Sequence, residues 1–311
     1  MTGRSESMIR NPVPWPDGAR CAVAITLDMD ADSLIHIAHP KDAITRVSAM
    51  SMLRYGPDVG IPRILETYRR FGLKQTFFIP AWCIEQHPRA VEQVVEDGHE
   101  VGFHGYIHEA PNALPREEEH YWLRRSIEII ERFTGQRPRG NRSPLYNFSM
   151  NTADLLVEER FLYDASLMGD DIPYILQTKD GRLVELPSHW ACDDWPPYVQ
   201  SMDLDYMMQI RSPDQAMEVF MAEFDAQWQA RGLWIGVWHP FVSGRLARWL
   251  RVERMIEEMQ ARGGVWFATL EEIARHVLTL VDRKTYTPRV DTLPYLATSP
   301  MPVPRPSASG T

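Results

Sequence analysis

The chain predicts an α/β fold on a parallel sheet, closed or nearly closed, and three observations carry that prediction. Short apolar runs alternate with amphipathic stretches along most of the chain, as in strand–helix units whose crossovers return each strand parallel to the last. Two helix starts carry capping-box signatures, Ser212-Pro213-Asp214-Gln215 and Thr269-Leu270-Glu271-Glu272. The length, 311 residues, is one at which a single α/β barrel is common.

Residues 21–27 form an apolar run that predicts a buried strand, followed by a polar loop region. A helix is expected over 59–71, a strand over 75–79, and a helix over 88–97 that stops at Gly98. Residues 100–103 read as a strand. Residues 116–133 read as a long helix whose first turn (Glu117, Glu118, Glu119) suits the positive end of the helix dipole. Ser149 is placed to cap a helix reaching about residue 160, with strands over 163–167 and 183–186. The capping boxes then open a helix to Ala230 and a final helix; between them lie a strand (233–238), a helix (245–261) and a strand (265–267). Residues 1–19 read as an extension, 20–283 as one domain, and 284–311 as a tail. The tail carries Pro294, Pro300, Pro302, Pro304 and Pro306 and is expected to be extended or laid over a neighbouring subunit.

A composition of 44% hydrophobic and 24% charged residues is that of a globular chain with a sizeable core. The balance of 33 basic against 42 acidic residues, net −9 with no basic block, argues against nucleic acid or an anionic membrane as partner. No apolar run approaches the ~18 residues of a membrane span. The polar first residues show no export signal. Cys21, Cys83 and Cys192 are odd in number and far apart, so reduced thiols of a cytoplasmic protein are expected.

The chemistry concentrates where predicted strands end. His104 and His108 lie four apart after residues 100–103, a spacing that grips one cation from a helical turn or a tight strand-end corner. Asp28 and Asp30 end another run, and a spacing of two points both carboxylates to one face of a strand. Either pair has a plainer explanation, a core histidine or a turn rich in aspartates. Convergence of both sets on one cation is what metal-assisted hydrolysis needs. Arg142, in Asn141-Arg142-Ser143-Pro144-Leu145, is placed to hold an aspartate ionised, and the residue after the proline to offer an N–H to an oxyanion. His239 ends the run 233–238 and suits a general acid. Tyr146, Trp190, Trp195 and Trp238 are expected to line the pocket, and Asp193-Asp194 add carboxylates beside it.

Taken in order, these segments resemble the polysaccharide deacetylase family, the NodB-homology or carbohydrate esterase family 4 group, over about residues 20–281. His99-Glu100-Val101-Gly102-Phe103-His104-Gly105-Tyr106, Tyr163-Asp164-Ala165-Ser166-Leu167-Met168 and Asp193-Asp194-Trp195-Pro196-Pro197 look most similar to one branch. That branch holds Helicobacter-type peptidoglycan deacetylases, allantoinases and cyclic imide hydrolases. Met29 separates two aspartates that many members place side by side. The resemblance implies an irregular (β/α) barrel with Asp30, His104 and His108 holding zinc or another divalent transition metal. It also implies Asp28 as base, Arg142 as its orienter, the Leu145 N–H as oxyanion donor and His239 as acid. The implied activity is hydrolysis of a non-peptide C–N amide bond, with a small cyclic amide, imide or ureide preferred. N-deacetylation of amino-sugar oligomers or peptidoglycan is the alternative, and a catalytically silent binding barrel a third. A metal-dependent phosphoesterase fits less well, because a two-metal clamp needs a second carboxylate cluster. Branch relatives and the tail lead to the expectation of a homo-oligomer, a dimer or tetramer.

Overall fold

The computed structural model describes residues 8–296. Its strands are β1 (Cys21–Asp28), β2 (Thr76–Ile79), β3 (Glu100–Phe103), β4 (Gly140–Asn141), β5 (Tyr163–Asp164), β6 (Tyr174–Gln177), β7 (Arg182–Glu185), β8 (Gln200–Ser201), β9 (Tyr206–Met207), β10 (Leu233–Trp238), β11 (Val265–Phe267) and β12 (Val290–Asp291). The main sheet runs β10-β1-β2-β3-β4-β5-β7-β6-β12, all parallel except the β6–β7 pair, with β11 beside the first residues of β1. β8 and β9 form a separate hairpin.

The central strand β1 is buried along its whole length, which explains a run too apolar to alternate: it has helices on one side and the barrel interior on the other. Its ladder with β10 runs from Ala22↔Leu233 to Leu27↔Trp238. Beyond β7 the chain returns to that edge. Asp193 bridges Val237, and the Asp194 N–H donates to the Val237 carbonyl at 3.1 Å. The sheet is thereby rounded into an irregular (β/α) barrel, as the sequence predicts. Both capping boxes form, Ser212 with Gln215 and Thr269 with Glu272. Helices Ile61–Phe71 and Arg116–Thr134 end on Gly72 and Gly135 in the left-handed conformation (φ 67° and 74°).

Three expectations are corrected. The stretch after β1 is not a polar loop: it holds helices Ser33–Ala38 and Val47–Tyr55, which bury Leu34, Ile35, Ala49 and Leu53. The strand β6 is added by its buried residues Tyr174, Ile175 and Leu176. The flanks belong to the barrel as far as they are described. Val13 and Trp15 are buried, with Trp15 Nε1 donating to the Gly232 carbonyl at 3.1 Å, and β12 pairs with β6 in the chain's own sheet. Pro300, Pro302, Pro304 and Pro306 lie outside the described residues. Among the described residues, no helix is long and apolar enough to cross a membrane, and the three cysteines are buried and unbridged.

Candidate active site

The predicted chemistry meets at the C-terminal ends of β1, β3, β4 and β10, where parallel α/β sheets place their sites. Asp28 is the last residue of β1, and Asp30 follows where the chain leaves the ladder. Both carboxylates face His104: its Nε2 lies 3.3 Å from Asp30 Oδ1 and 3.8 Å from Asp28 Oδ2. The third aspartate, Asp32, turns away to His87 and Arg54.

The HxxxH segment is a corner, not a helical turn. Gly105 and His108 take left-handed backbone (φ 75° and 70°), the second being unusual for a residue with a side chain. The Glu109 carboxylate holds the corner, accepting from the N–H groups of Tyr106 and Ile107. The result aims both imidazoles inward, ring centres 5.1 Å apart. His108 Nε2 stands 3.5 Å from Asp30 Oδ2. Burial acts against the charged form of all three groups, but with opposite outcomes. The surrounding imidazoles, His108 first, hold the Asp30 carboxyl well below the usual range, whereas burial pushes His108 down to about 4.

Arg142 is fully buried. It donates from Nη1 to Asp28 Oδ1 at 2.7 Å and to Thr26 Oγ1 at 2.8 Å, while its carbonyl accepts from His104 Nδ1 at 2.6 Å. One residue therefore fixes both the candidate base and the orientation of an imidazole. Leu145 is left-handed (φ 52°) in the turn Pro144–Tyr146, with its side chain exposed at the pocket. As second residue of that turn its N–H lacks an intrahelical acceptor.

His239 follows β10 and reaches Asp30 Oδ2 with Nε2 at 3.4 Å. Its other side is held by Asp194, which accepts from His239 Nδ1 at 2.6 Å and from its backbone N–H at 3.0 Å. Burial disfavours the imidazolium, yet Asp194 outweighs it and pushes His239 up to about 10. The sequence puts Asp194 beside the pocket without giving it this role. Its signal is the paired carboxylate before Trp195, but the partner lies just past a strand, 45 positions away.

A cavity of about 260 Å³ opens over these groups, lined also by Tyr146, Trp190, Asp193, Trp195, Leu204 and Tyr206. Tyr146 donates its hydroxyl to Asp193 at 2.7 Å, and burial raises Asp193 to about 7. Trp238 does not belong to the pocket. Alternation along β10 turns it to the helical layer, fully buried against Trp234 and Phe220. Leu204 and Tyr206 come from the β8–β9 hairpin, an element without a sequence signal of its own.

Asp30, His104 and His108 fit a divalent cation. Their donor atoms lie within 4.8 Å of one another, and Asp30 Oδ1 is buried without a hydrogen bond. Donation of His104 Nδ1 to a carbonyl leaves the Nε2 lone pair facing Asp30, the arrangement of a metal-ligating imidazole. Separations of 3.3 and 3.5 Å suit donors each about 2 Å from one tetrahedral ion. Asp193, Asp194 and His239 form a second close cluster. There the contacts are hydrogen bonds already satisfied by Tyr146, Trp195 and His239.

A barrel with a carboxylate–histidine cluster at its strand ends, an arginine-held aspartate and an aspartate-held histidine has the parts of a hydrolase site. Comparison with known proteins gives the family. A family model described as polysaccharide deacetylase matches residues 49–160. A peptidoglycan deacetylase of Helicobacter pylori is 33% identical over 258 residues, 74% of this chain and 87% of that protein. The crystal structure of a putative polysaccharide deacetylase from Mycobacterium smegmatis is 40% identical with a TM-score of 0.86, covering 92% of this chain and 98% of that one. That of the Puue allantoinase is 25% identical with a TM-score of 0.76, covering 88% and 94%. The chain belongs to the polysaccharide deacetylase family, enzymes that hydrolyse C–N bonds other than peptide bonds.

Proposed function

We propose that the protein hydrolyses the C–N bond of a small cyclic amide, imide or ureide. The observation that carries this reading is the cavity itself. Its volume is about 260 Å³, with Leu204 and Tyr206 of the hairpin among its lining and the acid and base groups on its walls. Asp30, His104 and His108 are the residues that would hold zinc or a similar divalent ion, whose charge would polarise the substrate carbonyl and acidify a water. Asp28, held by Arg142, takes the proton of the attacking water. The Leu145 N–H donates to the oxygen that gains charge as the carbonyl carbon becomes tetrahedral. His239, kept protonated and oriented by Asp194, delivers a proton to the departing nitrogen.

A second reading, N-deacetylation of an amino sugar in peptidoglycan or a soluble oligomer, is favoured by the Helicobacter pylori relative. It is favoured also by a hollow of about 420 Å³ that shares Trp190 and Asp193 with the main cavity and continues over Pro196 and Pro197. Assay of the metal-loaded protein on succinimide-type imides, allantoin and chitooligosaccharides separates the two. Ring opening supports the small cyclic substrate. Turnover of oligosaccharides alone removes it in favour of the deacetylase.

A further inference from the structure

Short ladders flank the strand that leads into Arg142. β4 and β5 share Gly140↔Tyr163 and Asn141↔Asp164, and β5 and β7 share Tyr163↔Val184 and Asp164↔Glu185. Ladders of this length fix a strand end poorly, yet Arg142 follows β4 directly. Side chains supply the missing links. Asp164 Oδ2 accepts from the Ser166 N–H at 2.8 Å, and Oδ1 accepts from Ser166 Oγ at 2.9 Å and from Asn141 Nδ2. Ser166 Oγ in turn accepts the Ser143 N–H at 2.8 Å. Arg142 Nε donates to the Ala165 carbonyl at 3.2 Å. The residues on either side of Arg142 are thus tied to β5 through Asp164.

Glu185 stands directly across from Asp164 on β7 and accepts the Leu167 N–H at 2.9 Å. Both carboxyls are fully buried, and among the described residues neither is paired with a cation. Arg142 spends its Nη1 on Asp28 and Thr26 instead. Two buried carboxyls side by side without a cation cannot both be ionised. Burial raises both groups, Glu185 the further because Asp164 faces it.

We propose that Asp164 and Glu185 form a proton-sharing acid pair that positions Arg142 and Ser143 at the end of β4, and so aligns Asp28 and His104. Both are positioning residues, since neither lines the cavity. Glu185 carries the proton and bonds Asp164, whose carboxylate keeps its lone pairs for Ser166 and Asn141.

The kinetic half of the test rests on the proposed amide hydrolysis; the spectroscopic half does not. With aspartate and glutamate carboxyls labelled with ¹³C, the full chain should show a resonance that stays at the protonated position well above the ordinary carboxyl range. That resonance should be lost in Glu185→Gln. In turnover, Glu185→Gln supplies a permanent donor to Asp164 and keeps kcat within about threefold, whereas Glu185→Ala and Ser166→Ala each lower it at least ~10-fold with KM little changed, as expected for misplaced catalytic groups. Ser166→Ala removes no buried charge, so it serves if the Glu185→Ala chain does not fold. A wild-type spectrum with no resonance at the protonated position, or one that persists in Glu185→Gln, overturns the shared proton, and a Ser166→Ala enzyme with wild-type kcat overturns the positioning. A wild-type chain that turns over no amide defeats the proposed reaction, while the resonance still decides the pair.

Discussion

Asp28 and His239 are carried by neighbouring strands whose ladder runs through six residue pairs, from Ala22↔Leu233 to Leu27↔Trp238. Arg142 follows a strand joined to β3 by the single pair Phe103↔Asn141 and to β5 by two pairs. On the β1–β10 side, backbone hydrogen bonds fix where a side chain leaves the sheet. On the β4–β5 side, that task falls to buried polar side chains, Asn141, Asp164 and Ser166. The difference teaches where the site tolerates change. A substitution on the long ladder removes one chemical group; on the short one it also loosens its neighbours.

The largest expected loss breaks the first side at its centre. Asp30→Ala should abolish stoichiometric binding of a divalent cation and with it turnover, because it removes the carboxylate that faces His104, His108 and His239. Calorimetric titration with zinc checks this. Next come Asp28→Asn and His239→Ala, each expected to lower kcat at least ~100-fold with the cation retained, the low end for a positioned base or acid. Near-normal turnover in either would remove its assigned role. Arg142→Lys sharpens the contrast. It keeps the charge but not the fork that reaches Asp28, Thr26 and the Ala165 carbonyl together, so kcat should fall at least ~10-fold. Steady-state kinetics at saturating substrate decides it, and a Lys enzyme as fast as wild type would show that charge alone suffices.

How far the site was legible in the sequence follows the same division. Asp28, Asp30, His104 and His239 stand at the ends of apolar runs long enough to read as strands, so their convergence was an inference from parallel topology. The outer side of β10 was misjudged at Trp238, because a run apolar on both faces hides which residue turns inward. Asp194 and the hairpin residues Leu204 and Tyr206 escaped for another reason. Their elements are short, and their partners are far away in the chain. β12 is likewise too short to give a period, and it follows a composition that reads as linker.

The smallest expected effect on turnover comes from the opposite end of the barrel, where β3 begins and the consequence is one of stability. Glu100 is half-buried, accepting from Thr76 Oγ1 at 2.6 Å, Tyr163 Oη at 2.7 Å and the Glu271 N–H at 3.0 Å. Burial raises it to about 7 from an ordinary 4.5. The folded chain therefore holds a proton that the unfolded chain has lost between those values, so stability falls as pH rises through that window and levels off above it. The loss is on the order of 3 kcal/mol at most. Glu100→Gln should gain in Tm relative to wild type as pH is raised from about 5 to about 8. A constant Tm difference across that range would show that Glu100 does not titrate there.

The central claim is that one divalent cation is held by Asp30, His104 and His108. Anomalous diffraction at the zinc edge from zinc-loaded crystals tests it directly. The predicted result is a single peak about 2 Å from Asp30 Oδ1 or Oδ2 and from Nε2 of both histidines. A peak among Asp193, Asp194 and His239 instead, or none at saturating zinc, would contradict it.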